Sequence, residues 1–159
     1  MSRLRIVSLG LGLVVLVVAL VRILAFGGAD GTKPLVFARI VPGVAVAGHD
    51  AVAYFTEGRP VPGSPEITLE HEGATWRFAS EVNRATFRAE PAKFAPRYGG
   101  YCAYAVSRGY TAKGDPEAWS IVDGRLYLNY DQNVRRIWEK DTVSNIRLGD
   151  ANWPAVLAQ

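Results

Sequence analysis

The sequence predicts an α+β fold, with a small antiparallel sheet and helices packed on one side of it. Residues 67–78 and 120–129 have the composition of two β-hairpins, and the second contains an Asp-Gly pair at 123–124. Ser80 and Asp131 each precede a segment whose apolar residues have helical spacing. Hairpins followed by helices, without regular strand–helix–strand alternation, are typical of the α+β class.

The first hairpin is predicted from the alternation of its residues. Ile67 and Leu69 on one arm, and Trp76 and Phe78 on the other, alternate with more polar neighbours. Because successive side chains of a strand point to opposite faces, this pattern indicates a hairpin with one buried face. The second hairpin is predicted from its Asp-Gly pair, since these residues supply the positive backbone angles of a type I′ turn.

Two helices are predicted from their capping residues. Ser80 can accept a hydrogen bond from the first turn of a helix that has apolar anchors within residues 82–87. Pro91 then ends this helix or opens a further turn. Asp131 caps a last helix, in which residues 134–138 provide the i, i+3, i+4 apolar stripe of a packed face.

The residues ahead of the first hairpin predict extended structure and one short cap. Residues 35–40 and 44–47 are expected to be short strands, and 58–65 is expected to be a loop because its three prolines oppose regular pairing. Asp50 can cap a short helical or extended stretch at 51–55.

The region between the two hairpins is more difficult to assign. Gly99-Gly100 is expected to be a flexible break that permits a tight turn or the close approach of a ligand. Residues 101–106 are apolar and aromatic enough for a buried strand or tight segment, and residues 146–157 are expected to pack against the core. No internal repeat is evident in the sequence.

The N-terminal segment predicts a membrane anchor. Residues 6–26 are apolar except at Ser8 and Arg22, which is about the twenty residues that a helix needs to cross a bilayer. Arg3 and Arg5 precede the segment and favour a cytoplasmic N-terminus, with the domain on the extracytoplasmic, periplasmic side. The alternative is a signal peptide that is cleaved after Ala29. The expected organisation is an anchor or signal at 1–29, a linker and first strand at 30–43, and a domain at 44–159.

The charge of the chain gives little support to nucleic-acid binding. Three of the 18 basic residues, namely Arg3, Arg5 and Arg22, precede the first acidic residue, Asp30. The remaining 15 basic residues therefore equal the 15 acidic residues in number, and residues 30–159 are formally neutral. A nucleic-acid partner is not expected, since no basic run with interleaved aromatic residues is present.

Several segments carry a family resemblance. Residues 48–55 (GHDAVAYF) look like the opening GxDxVAYF, residues 75–80 (TWRFAS) look like an aromatic strand and helix cap, and residues 91–96 (PAKFAP) look like a DPxKYxP step. The most specific segment is residues 98–104 (YGGYCAY), and LYLNY at 126–130 also matches. These motifs resemble the YHS-domain family, in particular an exported subgroup with a YGGYCAY segment. The resemblance covers most of the chain after Val44.

The resemblance implies a metal-related binding role, because YHS domains resemble small cysteine-bearing modules found beside copper and heavy-metal transporters. This sequence departs from the cysteine-bearing pattern at two places. Residues 51–53 of the opening and residues 78–83 of the second step contain no cysteine. A zinc site of that type is therefore not carried over.

Cys102, the single cysteine, is the first candidate for chemistry. A thiolate with an imidazole partner suits a soft ion such as Cu(I), and His49 is the most attractive second ligand. The alternative is that Cys102 is a small buried hydrophobic residue between Tyr101 and Tyr104. The preferred alternative for His49 is an exposed turn residue, and His71 is expected to be solvated at a hairpin tip.

Other residues near these two positions are further binding candidates. They are Asp50 and Tyr54, which follow His49, together with Tyr101 and Tyr104, which flank Cys102. Aromatic side chains of this kind could line a pocket for a flat ligand, or they could simply form the core of a small domain.

Three functions follow from these observations. The first is a membrane-tethered or exported YHS-like domain that handles a metal ion, of the copper type, through Cys102. The second is a structural or partner-binding accessory domain of a membrane complex, without a metal. The third, an enzyme with Cys102 as nucleophile, ranks behind both because no recognised nucleophile motif surrounds the cysteine.

Overall fold

The computed structural model describes residues 32–159, and residues 34–159 form one compact unit. The four strands are β1 (Ser64–His71), β2 (Ala74–Phe78), β3 (Asp115–Val122) and β4 (Arg125–Asn129). The α-helices are α1 (Ala53–Thr56), α2 (Glu81–Ala89), α3 (Pro91–Phe94), α4 (Ala103–Ser107), α5 (Gln132–Glu139) and α6 (Thr142–Asn152). Short 3₁₀ turns are at Ala45–Gly48, Arg97–Gly100 and Ala155–Ala158.

The α+β class is confirmed, but the described strands form two small sheets instead of one. Strand β1 pairs with β2 and β3 pairs with β4, each as a two-stranded antiparallel sheet. Both predicted hairpins are therefore present, and their strands extend beyond the alternating residues that predicted them. The two predicted helices are present as α2 and α5, with Ser80 and Asp131 as their caps.

The anchor predicted at 1–29 lies outside the described residues. Between residues 32 and 159, no helix combines the length and the apolar character that crossing a membrane requires.

Two strand predictions were wrong. Residues 35–40 and 44–47 are not strands, since the structure has bends, turns and isolated bridges at 35–44 and a 3₁₀ turn at Ala45–Gly48. Val46 and Ala47 have positive φ angles of 50°, which extended strands do not have. Residues 101–106 were expected to be a buried strand or tight segment, and the strand alternative is excluded because Ala103–Ser107 is helix α4.

The fold contains an internal repeat that was not evident in the sequence. In the first hairpin Ser64 pairs with Phe78, and 51 residues later Asp115 pairs with Asn129 in the second. The remaining strand pairs follow the same offset, and each hairpin has its irregularity after the first pair. We call residues 44–94 the first repeat and residues 96–152 the second repeat.

The equivalence extends to the 3₁₀ turn ahead of each hairpin. Three successive residues with positive φ end at Gly48 in the first repeat and at Gly100 in the second. A short helix follows in each repeat, α1 after four intervening residues and α4 after two. Such a turn is costly for residues other than glycine, at about 1–2 kcal/mol per residue. Its presence in both repeats indicates that tertiary contacts stabilise it.

The equivalence also includes the helix behind each hairpin. Helices α2 and α5 begin 51 residues apart. Trp76 packs against Phe87 with ring centroids 4.7 Å apart, and the equivalent Tyr127 packs against Trp138 at 5.1 Å. The two ring pairs have similar interplanar angles of 34° and 37°. Each repeat therefore has one aromatic pair that joins its hairpin to its helix.

Each repeat has its own hydrophobic core, and the second hairpin contributes to both. Leu126 and Leu128 of β4 pack into the first core, whereas Tyr127 between them packs into the second. This division follows from the alternation of side chains along a strand. Strand β4 is buried on both faces, which explains the apolar run from Leu126 to Leu128.

The segment ahead of the first repeat also contacts the second repeat. The Phe37 backbone N–H donates to the Gly99 carbonyl over 2.8 Å. A Cβ atom on Gly99 would collide with the Leu35 carbonyl oxygen. Gly99 therefore provides the space for this segment, and the tight turn expected at Gly99-Gly100 is present as the 3₁₀ turn Arg97–Gly100.

Candidate functional site

Asp50 lies at the buried centre of the first repeat, where it closes the turn onto the hairpin. Its side chain is fully buried. One carboxylate oxygen accepts the Val52 backbone N–H at 2.9 Å. The other accepts the Ala79 backbone N–H at 2.8 Å and the Asn83 side-chain amide at 2.7 Å. A buried carboxylate needs such donors, so these bonds give Asp50 a structural role.

Cys102 occupies the position in the second repeat that Asp50 occupies in the first. The backbone N–H of Asp50 donates to the Val61 carbonyl, and the backbone N–H of Cys102 donates to the carbonyl of the equivalent residue, Ala112. The thiol is 1% exposed, and its sulfur accepts the Ala105 backbone N–H at 3.5 Å in the first turn of α4. Cys102 is thus the capping residue of α4.

The surroundings of the Cys102 thiol favour its neutral form. Burial raises the pKa of the thiol, and backbone N–H groups of Ala105, Tyr130 and Tyr104 oppose this in part. Tyr130 is the equivalent of Ala79, so the thiol interacts with the same backbone position as the Asp50 carboxylate. Because the thiolate is the nucleophile and the metal ligand, a raised pKa makes Cys102 less suited to either role.

Asn129 accepts a backbone hydrogen bond in the second repeat whose equivalent in the first repeat is accepted by Asp50. Its side-chain oxygen accepts the Tyr104 backbone N–H at 3.2 Å and lies 3.8 Å from the Cys102 sulfur. The equivalent N–H in the first repeat, that of Val52, is bound by Asp50 itself. The Asn129 side-chain nitrogen is buried and has no hydrogen-bond partner among residues 32–159.

His49 makes its hydrogen bonds within the first repeat. Its ring Nδ1 is 3.2 Å from the Val46 carbonyl oxygen, and its backbone forms a bridge with Pro62. The hydrogen bonds that the Cys102 thiol makes with described residues are within the second repeat. In the described part of the chain, no group of three His, Cys, Asp or Glu side chains could hold a metal ion.

The three tyrosines predicted near the site have separate roles. Tyr54 is buried, donates to the Pro116 carbonyl at 3.0 Å and thereby joins the two repeats. Tyr101 donates to the Pro34 carbonyl at 2.9 Å and holds the preceding segment. Tyr104 is half-buried, with the Arg108 guanidinium 4.8 Å from its ring centroid. Burial raises the pKa of both Tyr54 and Tyr101.

His71 is not the solvated residue that its position at a hairpin tip predicted. Its side chain is 29% exposed, and its ring packs edge-on against Phe87 at 5.7 Å and against Trp76 at 6.3 Å. The Trp76 indole N–H donates to the His71 carbonyl at 3.0 Å. The tip of the first hairpin is therefore fixed against α2.

A cleft lies between the tip of the first hairpin and the second repeat. It consists of two adjoining cavities of about 320 Å³ and 550 Å³, which share Pro91, Ala92 and Arg125. Volumes of this size are typical of small-molecule sites, which often lie between structural units. Residues of both repeats also line these cavities, namely His71, Glu72, Trp76, Glu90, Lys93, Pro96 and Arg97, together with Trp153, which follows the second repeat. We call this feature the inter-repeat cleft.

Sequence reasoning missed the inter-repeat cleft. Arg125 has the pattern of an ordinary strand residue beside an Asp-Gly turn, and Pro91 that of a helix terminus. These residues meet only because the second hairpin packs beside α3. No local signal in the sequence could have indicated this packing.

Comparison with known proteins adds no assignment. The chain matches no protein-family model, no curated protein and no solved structure.

Proposed function

We propose that this chain is a membrane-tethered or exported YHS-like binding domain that serves as an accessory domain of a membrane complex. In this proposal it binds through the inter-repeat cleft, and Cys102 has a structural role. The apolar segment at 6–26 supports the tether, with the domain on the periplasmic side. The motifs at 48–55 and 98–104 support the YHS resemblance.

The equivalence of Cys102 and Asp50 carries this proposal. Asp50 has a purely structural set of hydrogen bonds, and Cys102 has the same place in the second repeat. Copper handling through Cys102 and His49, and nucleophilic catalysis by Cys102, both require an accessible thiolate. A neutral thiol that caps a helix inside the core gives less support to these two alternatives than to an accessory domain.

The accessibility of the thiol tests this proposal. The full chain in detergent micelles is treated with N-ethylmaleimide, and the modified fraction is followed by intact mass spectrometry. We expect Cys102 to react at least about 100-fold more slowly than an exposed thiol, because reaction requires local opening of the fold. In urea the same thiol should react fully.

A matched variant provides the exposed thiol for this comparison. Lys140 is exposed in the second repeat, so Lys140→Cys in a Cys102→Ala background gives the reference rate. In parallel, copper retained after incubation with Cu(I) and dialysis is measured for the wild type and for Cys102→Ala. Native Cys102 that reacts at the reference rate, or one copper ion per chain that is lost in Cys102→Ala, would contradict the proposal.

A further inference from the structure

The charged residues of the inter-repeat cleft differ in whether they have a partner. Arg97 lies 2.8 Å from Asp150, Lys93 lies 3.5 Å from Glu90, and the His71 ring lies 4.0 Å from Glu72. Arg125 is the exception, because no acidic side chain among residues 32–159 lies within 4.0 Å of its guanidinium. It is also the charged residue that lines both cavities.

Arg125 is exposed at the wall of the cleft, where one hydrogen bond orients its guanidinium. Its Nη1 donates to the Ala92 carbonyl at 3.2 Å. A guanidinium has five N–H donors, so this bond leaves most of them without an acceptor among residues 32–159. A planar guanidinium that is held at one end suits an anion with two oxygens, such as a carboxylate, which it can bind through two parallel hydrogen bonds.

The rest of the cleft indicates what the anion is attached to. Trp76, Pro91, Ala92, Pro96 and Trp153 give the cleft apolar walls, against which an apolar group can be buried. Glu72 and Glu90 also line the two cavities, and their carboxylates disfavour a multiply charged ligand.

We propose that the inter-repeat cleft binds an apolar group that bears a single carboxylate, and that Arg125 is the residue that contacts this carboxylate. The ligand is a free organic acid or the C-terminus of a partner protein, because the two present the same chemistry. This inference rests on the proposed function, since it specifies the ligand of the same cleft.

Equilibrium dialysis of the full chain in detergent micelles tests the inference, with empty micelles as the background. The probes are benzoate and the peptide acetyl-Gly-Gly-Phe with a free C-terminus. Benzamide and the amidated peptide are their uncharged counterparts. We expect at least one acid to bind about tenfold more tightly than its amide, because a hydrogen-bonded charge pair contributes about that factor. Whichever acid binds more tightly identifies the source of the carboxylate.

Two arginine variants test whether Arg125 is the residue that contacts the carboxylate. Arg125→Gln should weaken binding of the acid about tenfold and leave binding of the amide unchanged. Arg88→Gln is the matched control, because Arg88 is exposed on α2 and lies outside the cleft. The melting temperature of each variant shows whether it is folded.

The remaining outcomes separate this inference from the proposed function. Amides that bind as tightly as acids would show that the ligand needs no carboxylate, although the cleft would still be a binding site. Acid binding that persists in folded Arg125→Gln would overturn the role of Arg125. Failure of all four probes to bind at millimolar concentration would overturn the inference, whereas the structural role of Cys102 is decided by thiol accessibility alone.

Discussion

The first repeat closes its turn with a carboxylate, whereas the second closes the equivalent turn with a thiol and an amide. Asp50 binds two backbone N–H groups and one side-chain amide through its two oxygens. In the second repeat, the Cys102 sulfur caps α4 and the Asn129 oxygen binds the Tyr104 N–H. The same backbone arrangement is therefore satisfied by one strong acceptor in one repeat and by two weaker acceptors in the other.

The single cysteine has a structural counterpart in the first repeat. Considered alone, a lone cysteine beside aromatic residues suggests a ligand or a nucleophile. Considered beside Asp50, it is the second-repeat version of a structural residue. The second turn is also less completely satisfied, because the side-chain nitrogen of Asn129 has no partner among the described residues. We therefore expect the two repeats to depend equally on their aromatic pairs and unequally on their turn residues.

The largest effects should come from the aromatic pairs, where the repeats are most alike. Phe87 and Trp138 are both fully buried at equivalent positions. Phe87→Ala and Trp138→Ala should each lower the free energy of unfolding by about 3–5 kcal/mol, through lost burial and the cavity that remains. Urea denaturation of the full chain, followed by near-ultraviolet circular dichroism, measures both values.

An exposed valine supplies the control for these truncations. Val143 on α6 is 79% exposed, and Val143→Ala should change the unfolding free energy by less than about 0.5 kcal/mol. If Trp138→Ala lowers the free energy of unfolding by less than half as much as Phe87→Ala does, the two repeats are not energetically equivalent.

The turn residues should show the next largest effects and the clearest asymmetry. Asp50→Ala leaves three donors without this acceptor, one of them buried and two partly buried, which should cost about 3 kcal/mol. Cys102→Ala removes one weak cap and one sulfur atom, which should cost about 1–2 kcal/mol. The same denaturation experiment compares the two substitutions.

Asp50→Asn tests whether the charge of the carboxylate matters. The amide keeps one acceptor oxygen and places a donor opposite the other N–H groups, so its cost should be close to that of Asp50→Ala. If Asp50→Ala and Cys102→Ala lower the free energy of unfolding equally, the two turns depend on their side chains to the same extent. That result would contradict the expected asymmetry.

The parts of the fold that the sequence could predict are those with local signals. The Asp-Gly turn was identifiable because positive φ at Asp123 and Gly124 favours these residues, and both have it in the structure. The caps Ser80 and Asp131 were identifiable because a helix start requires an acceptor for its first N–H groups.

The 3₁₀ turns could not be predicted because some of their residues favour a different backbone conformation. Val46 is β-branched and favours extended structure, yet its φ is 50°. The conformation is stabilised by tertiary contacts, since Val46 is buried in the first core. Local reasoning therefore assigned a strand at 44–47 where the chain turns.

The repeat was not evident in the sequence because equivalent positions carry different residue types. Asp50 corresponds to Cys102, Phe78 to Asn129, and Phe87 to Trp138. The two repeats share their backbone geometry, which a comparison of residue types does not detect. The inter-repeat cleft was missed for a related reason, because its residues come from segments that only the packing of the repeats brings together.

The smallest expected effect is a pH dependence that only the thiol should introduce. Burial raises the pKa of Cys102 in the folded protein, so the folded state holds the thiol proton more tightly than the unfolded state. The stability that the thiol contributes is therefore complete below the unfolded pKa of about 8.5, and it is lost as the pH rises above that value. The difference in unfolding free energy between the wild type and Cys102→Ala should narrow between about pH 8 and pH 10. Tyrosines with raised pKa values are common to both proteins and cancel in the difference. A difference that widens with rising pH would mean that the folded protein stabilises the thiolate, and Cys102 would then resemble the carboxylate of Asp50 in charge as well as in position.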